Sequence, residues 1–401
     1  MTTGIIIIVC ALLIIAYIFD VTAAKTKIPS VILLLAMGWF VRQVVGFIGI
    51  KIPDLSPLLS VFGTIGLILI VLEGSLELEL NKSKTKLIKN SLIVSFLPMF
   101  VLAFILAFMF QHYGGGSLKD GLTNAIPFCV ISSAIAIPSV KSLTSSTQEF
   151  VIYETSFSDI IGVLFFNFVS LNAVIELTSF GNFSLELILI AVISFVSTIG
   201  LSLLLNKIEH RIKFAPIILI VILIYAISKV YHLPGLIFIL LFGLFLGNLD
   251  ELKRFKWIDK LNPDNLSKEV DKFKDLLIEG AFIIRALFFL LFGFLIETAE
   301  ILNKATLLWA VIIVGLIFII RGVHLKIMRL PILPLFYIAP RGLITILLFL
   351  SIDSSMSNPL VNKSLIIQVI ILTTMVMMVG LILTKVERKP VNGELENKNI
   401  S

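Results

Sequence analysis

The residues of this chain best equipped for chemistry sit together between Tyr153 and Ser170, in the stretch YETSFSDIIGVLFFNFVS. From Phe157 to Val169 it is almost wholly apolar, yet Asp159 stands near its start. Glu154 lies five residues upstream, with Thr155 and Ser158 between the two acids. An acid inside a membrane-spanning helix costs about 3 kcal/mol or more, so such acids are rare and line ion or proton paths. The alternative is that the span begins later and leaves both acids at the interface. Thr155 and Asp159 are four residues apart and share a helix face, so a hydroxyl and a carboxylate can address one ion. Glu154 points about 140° away around the helix, better placed to meet an arginine from a neighbour. Arg321 and Arg341 both fall in apolar surroundings; the other reading of each is snorkelling to the interface. Arg42 and Arg285 read as interfacial.

The elements that position these residues follow from composition. The chain has 401 residues, 58% hydrophobic and 14% charged, with a mean hydropathy of +1.08. That excludes a soluble globular domain and indicates an all-α polytopic membrane protein. No Lys or Arg precedes the first apolar run, so that run does not read as a cleaved signal. Cys10 and Cys129 read as small packing residues, and no disulfide, metal or cofactor motif stands in the sequence.

Apolar runs long enough to cross a bilayer number about thirteen. They lie at about 4–21, 28–50, 57–76, 88–111, 122–140, 154–178, 186–206, 214–230, 234–249, 277–298, 305–323, 332–352 and 364–385. The eighth and ninth, short and flanking His232-Leu233-Pro234-Gly235, alternatively form one re-entrant unit. Basic residues alternate from loop to loop. One set carries Lys25 and Lys27, Lys82 to Lys89, Lys141, Lys207 to Lys213, Lys253 to Lys274, Lys326 and Arg329, and the tail from Lys385. The other holds only Lys51, Lys119, Lys229, Lys304 and Lys363. This places the N-terminus outside and the C-terminus in the cytoplasm. The lysines sit in short loops, so the net charge of +6 implies no nucleic-acid partner. The connection at about 250–276 reads as an amphipathic cytoplasmic helix. The histidines at 112, 210, 232 and 324 read as solvated groups near loops.

Two spans carry matched prolines: the fifth Pro127 and Pro138, the twelfth Pro334 and Pro340. Proline removes a backbone donor and frees a carbonyl one turn earlier. Unwound backbone at membrane depth is tolerated only inside protein or beside a wet cavity. Spans one to six and eight to thirteen therefore read as two inverted six-helix repeats, with the broken crossing helices, spans five and twelve, at the site. The crossover residues expected at the breaks are Ala136, Ile137 and Pro138, and Pro340 and Gly342.

With these residues the chain resembles the monovalent cation:proton antiporters, in particular sodium/proton exchangers of the electroneutral branch, along nearly all its length. The third span ends Leu72-Glu73-Gly74-Ser75-Leu76-Glu77-Leu78, close to the family's Glu-Gly-Gly-Leu-Glu-Leu. Glu154 and Ser158-Asp159 stand where electroneutral members have Glu and an Asn-Asp pair. Arg321 and Pro340-Arg341-Gly342 are similar too. The chain departs at the fifth span, where Ala136-Ile137-Pro138 replaces Thr-Asp-Pro and Ser132, Ser133 or Ser139 is left to compensate. The resemblance implies exchange of Na⁺, or Li⁺, for H⁺ around Asp159, with Thr155, Ser158 and freed carbonyls as further oxygen ligands. It implies Arg321 as the partner of Glu154, with Arg341 second, and Glu73 as a supplementary ligand or merely the end of span three. A core of spans at about 88–178 and 305–385 would move against spans at about 4–76 and 186–298, which would form a homodimer interface; a short tail, about 386–401, follows. The host would be a prokaryotic cell membrane, the partners the bilayer and the transported ions, with no cofactor. K⁺/H⁺ exchange uses the same scaffold. A channel would need a continuous polar stripe, and a membrane-embedded enzyme a cluster of acids, histidines or a metal motif; neither is seen in the sequence.

Overall fold

The computed structural model describes residues 2–26, 28–49, 53–141, 143–172, 177–207, 213–231, 233–253 and 263–384. Outside this set fall Lys27, Lys51, Arg211, His210, His232, the middle of the expected connector, and the tail from Lys385. The described residues are mostly helical, with no strand among them. In chain order the helices are α1 (Thr2–Thr26), α2 (Ser30–Ile48), α3 (Ser56–Glu77), α4 (Thr85–Gly114), α5 (Leu118–Ala125), α6 (Ser133–Ser139), α7 (Ser145–Leu171) and α8 (Leu177–Lys207). They continue with α9 (Phe214–Val230), α10 (Gly235–Gly247), α11 (Leu249–Leu252), α12 (Pro263–Leu295), α13 (Thr298–Ile301), α14 (Lys304–Ile327), α15 (Leu343–Leu350) and α16 (Lys363–Leu383).

Every expected apolar stretch carries helix. Among the described residues nine helical segments are long and apolar enough to cross a membrane, α5 and α6 together counting as one. The remaining stretches are α7, which carries the acids, the shorter α9 and α10, and the broken region around α15. α9 and α10 are separate helices. Their joint is closed by Leu233 N–H donating to the Ser228 carbonyl at 2.8 Å. The expected connector is revised: residues from Pro263 are continuous with the following span as a single helix of 33 residues. At 1.5 Å per residue that is about 50 Å, more than a bilayer core of about 30 Å needs. No proline follows Pro263 within α12, so nothing stops the helix from running through.

The helices pack in two groups. In the first, α12 lies along α2 and α3, and α10 lies between α3 and α8. Backbones touch where side chains are absent: a Cβ on Gly38 would strike the Leu290 carbonyl, and one on Gly293 would strike that of Leu35. Small residues at such crossings let membrane helices approach for van der Waals contact. In the second group, α4 packs on α5, α7 and α14, and α14 on α16. α7 and α15 also meet α3. The two broken units are tied at one end by amides: Asn124 Nδ2 donates to the Met356 carbonyl at 2.7 Å, and Asn358 N–H to Asn124 Oδ1 at 3.1 Å.

Candidate functional site

α7 begins nine residues before Glu154, so both acids lie well inside a helix rather than at its start. Glu154, Thr155, Ser158 and Asp159 are all buried. The 140° between Glu154 and Asp159 sends them to different neighbours, as the geometry of a helix requires. Glu154 meets Arg321 of α14 in a two-pronged pair, Nη1 to Oε1 at 2.6 Å and Nη2 to Oε2 at 3.0 Å. Arg321 Nε donates at 2.7 Å to the Leu335 carbonyl, in the irregular segment between α14 and α15. The guanidinium fork thus spends three donors in one apolar location, which suits its fixed planar geometry.

Among the described residues Asp159 has no ion-pair partner. The Ser133 hydroxyl, on α6, donates to its Oδ2. Among the described residues its buried Oδ1 has no hydrogen-bond partner, and neither has the buried hydroxyl of Ser132. Ser158, next to the acid in sequence, instead accepts from the Ile131 N–H at 2.9 Å, capping an amide left free at the first break. Thr155 donates to the Val151 carbonyl of its own helix at 2.8 Å, which leaves its oxygen lone pairs available.

The position of the first break differs from the one read off the prolines. Ala136, Ile137 and Pro138 lie inside α6, and the helix is interrupted before Ser133, around Val130 to Ser132. The donor that Pro138 lacks would have met the carbonyl of Ala134, four residues back, so its fault falls in the last turn of a short helix. The second break contains Pro340, Arg341 and Gly342. There the two interrupted segments complete each other. Ser132 N–H donates to the Pro340 carbonyl at 2.9 Å. Arg341 Nε donates to the Phe128 carbonyl at 2.5 Å and Nη1 to that of Ala339 at 2.8 Å. Arg341 therefore does not pair with Glu154: its charge is solvated by carbonyls the breaks set free, and its own N–H donates to Thr373 Oγ1 at 3.1 Å.

Gly342 is closely packed here against side chains of the first break. A Cβ on it would lie 2.7 Å from Ser132 Oγ and 2.6 Å from Ile135 Cδ1. Overpacking of this kind costs about 1–3 kcal/mol. Gly342→Ala is expected to lower the thermal midpoint of the detergent-purified protein, read by intrinsic fluorescence. Gly280→Ala, whose Cβ would meet nothing within 4 Å, should leave it unchanged or raise it.

Glu73 is half-buried on α3, with no hydrogen bond or ion pair among the described residues. It adjoins Gly74, where a Cβ would lie 3.1 Å from the hydroxyl of Ser156 on α7. The charged groups acting on it are Arg285 and Lys274 on α12, Glu77, and Lys141. Arg285 is partly buried on α12, and Arg42 makes a partly exposed pair with Glu297 at 3.0 Å. His324, expected near a loop, is buried in α14. Ser133 was signalled only as one of three serines left to compensate at the fifth span, and the Ile131 amide and the Thr373 hydroxyl had no local signal. They become partners only through the crossing of two distant segments.

A family description, sodium/hydrogen exchanger, transmembrane, matches residues 8–388. Two solved structures of the sodium proton antiporter MjNhaP1 from Methanocaldococcus jannaschii share the fold. One, determined at pH 8, is 19% identical with a TM-score of 0.63, covering 95% of this chain and 96% of its own. The other, from an electron-microscopy map, is 18% identical with a TM-score of 0.65, covering 96% and 95%. No curated protein matches the chain.

Proposed function

The chain belongs to the sodium/hydrogen exchanger family, and from that premise we propose that it exchanges Na⁺ for H⁺ one for one, with Asp159 as the shared carrier. One observation supports this above the others: Asp159 is a buried acid with one oxygen held by a hydroxyl and the other unsatisfied. A lone carboxylate in the membrane is costly when empty and charged. Loaded with a proton or a cation it is neutral, so both compete for it and either permits the site to cross. Thr155 and the carbonyls near the breaks would supply further oxygen ligands, the type hard cations take. Ser158 is a weaker candidate ligand than its sequence position suggests, because its oxygen already serves Ile131.

The charge count supports electroneutrality. Arg321 and Arg341 stay protonated at any accessible pH. Both carboxylate oxygens of Glu154 are engaged by Arg321. Asp159 is left as the group that changes occupant, with Glu73 in reserve. In this reading the helices around α4 to α7 and α14 to α16 carry the site past the group around α2, α3, α10 and α12, which would also form a homodimer interface. The basic loops face the cytoplasm of a prokaryotic cell.

Purified protein in liposomes tests the proposal. A Na⁺ gradient, or a Li⁺ gradient in its place, should collapse or build a pH gradient. A K⁺/valinomycin potential imposed without Na⁺ or proton gradients should drive no sustained Na⁺ uptake. Sustained uptake would overturn the one-for-one ratio and make Glu73 the second proton carrier to examine. Exchange with K⁺ in place of Na⁺ would transfer the same mechanism to that ion.

A further inference from the structure

Among the described residues the Ser133 hydroxyl is the side-chain partner of Asp159, and it engages one carboxylate oxygen while the other has no hydrogen-bond partner. Ser133 is 5% exposed and Asp159 1% exposed, so water does not substitute freely for this contact. Charged and titratable groups on the surrounding elements do not take its place. Glu154, on the same helix, is consumed by Arg321 of α14. Arg341, at the second break, sits on the Phe128 and Ala339 carbonyls. Cys129, at the first break, donates to the Ala125 carbonyl at 3.3 Å. Glu73, on α3, lies in the field of Arg285, Lys274 and Lys141, and of Glu77 on its own helix.

We infer that Ser133 is the positioning residue of the exchange site, holding Oδ2 of Asp159 so that Oδ1 receives the proton or the cation, and biasing that competition toward the cation. The inference rests on the exchange reading given above. A hydroxyl donates more strongly to a charged carboxylate than to a neutral carboxylic acid. The bond therefore favours the empty and cation-bearing states over the protonated one. Between empty and cation-bearing states it makes little difference, because the carboxylate is ionised in both. Loss of the hydroxyl should consequently matter where protons compete and vanish where they do not.

The experiment is the pH dependence of the apparent KM for Na⁺ in proteoliposomes. Ser133→Ala should raise that KM by about three-fold to ten-fold on the acidic side. The curves of variant and wild type should converge at alkaline pH. Ser133→Thr, which keeps the hydroxyl, should follow the wild type, and Ser133→Cys, with a weaker donor, should fall between. Ser139→Ala serves as control, because that hydroxyl donates to the Ile135 carbonyl of its own helix at 2.6 Å. A KM raised equally at every pH would overturn the inference, since it would mark a direct cation ligand or a packing defect. An unchanged KM would overturn it too. Wild-type protein inert to every cation would instead refute the exchange reading itself, a result distinct from both.

Discussion

Asp159→Asn is expected to reduce cation-driven proton flux to the level of protein-free liposomes while the protein still inserts, purifies and unfolds cooperatively. The amide matches the carboxyl in shape and keeps an oxygen that can accept from Ser133. What it lacks is a removable proton and a negative charge, so neither cargo can be exchanged at it. Stability should not fall with activity. The wild-type carboxylate is buried with no counter-ion among the described residues, a cost to folding that the neutral amide removes, and at the Oδ1 position the amide loses no existing hydrogen bond. The thermal midpoint of the variant should accordingly equal or exceed that of the wild type. A variant that retains wild-type flux would remove Asp159 as carrier. One that loses flux only because it no longer folds would be recognised by a lowered midpoint.

The sequence was most informative where the governing physics is local. Hydropathy and length located the apolar helices, because a bilayer imposes its own thickness on each of them. Helical periodicity separated Glu154 from Asp159, and the two side chains do meet different elements, α14 and α6. The breaks were less legible. Proline marks a missing amide, whereas the interruption before α6 is closed by a bond from Ser132 to Pro340, more than two hundred residues away. No local pattern encodes that exchange of donors and acceptors. The same reason hid the environment of Arg341, whose acceptors, Phe128 and Ala339, belong to both broken segments. It also hid the role of Ser158, whose proximity to Asp159 in sequence suggested a ligand and whose contact is an amide in the neighbouring segment. The connector before α12 misled in another way. An amphipathic stretch and an apolar span have different composition but no helix-breaking residue between them, so they form one element.

The pair formed by Glu154 and Arg321 should carry the largest single stability effect in the molecule. Both side chains are almost completely enclosed, at 0% and 5% exposure. Removing one partner of such a pair strands the other's charge, at a cost of about 3–5 kcal/mol in soluble proteins. Glu154→Gln and Arg321→Ala are each expected to lower stability by that order. Arg321→Ala should be the worse, because it also deprives the Leu335 carbonyl of its donor. The double variant strands no charge, so it should lose less than the sum, with a coupling of about 2–3 kcal/mol. Thermal unfolding of the four proteins in one detergent measures this, and additive losses would show that the two groups do not depend on each other. The same set separates structural from transport roles. If Glu154 is only an anchor, Glu154→Gln should retain exchange below its own unfolding temperature, with a Na⁺ dependence near that of the wild type. Complete loss of exchange in a folded Glu154→Gln protein would mean that this acid carries cargo as well. The one-for-one charge count, which depends on Arg321 holding Glu154 permanently, would then fail.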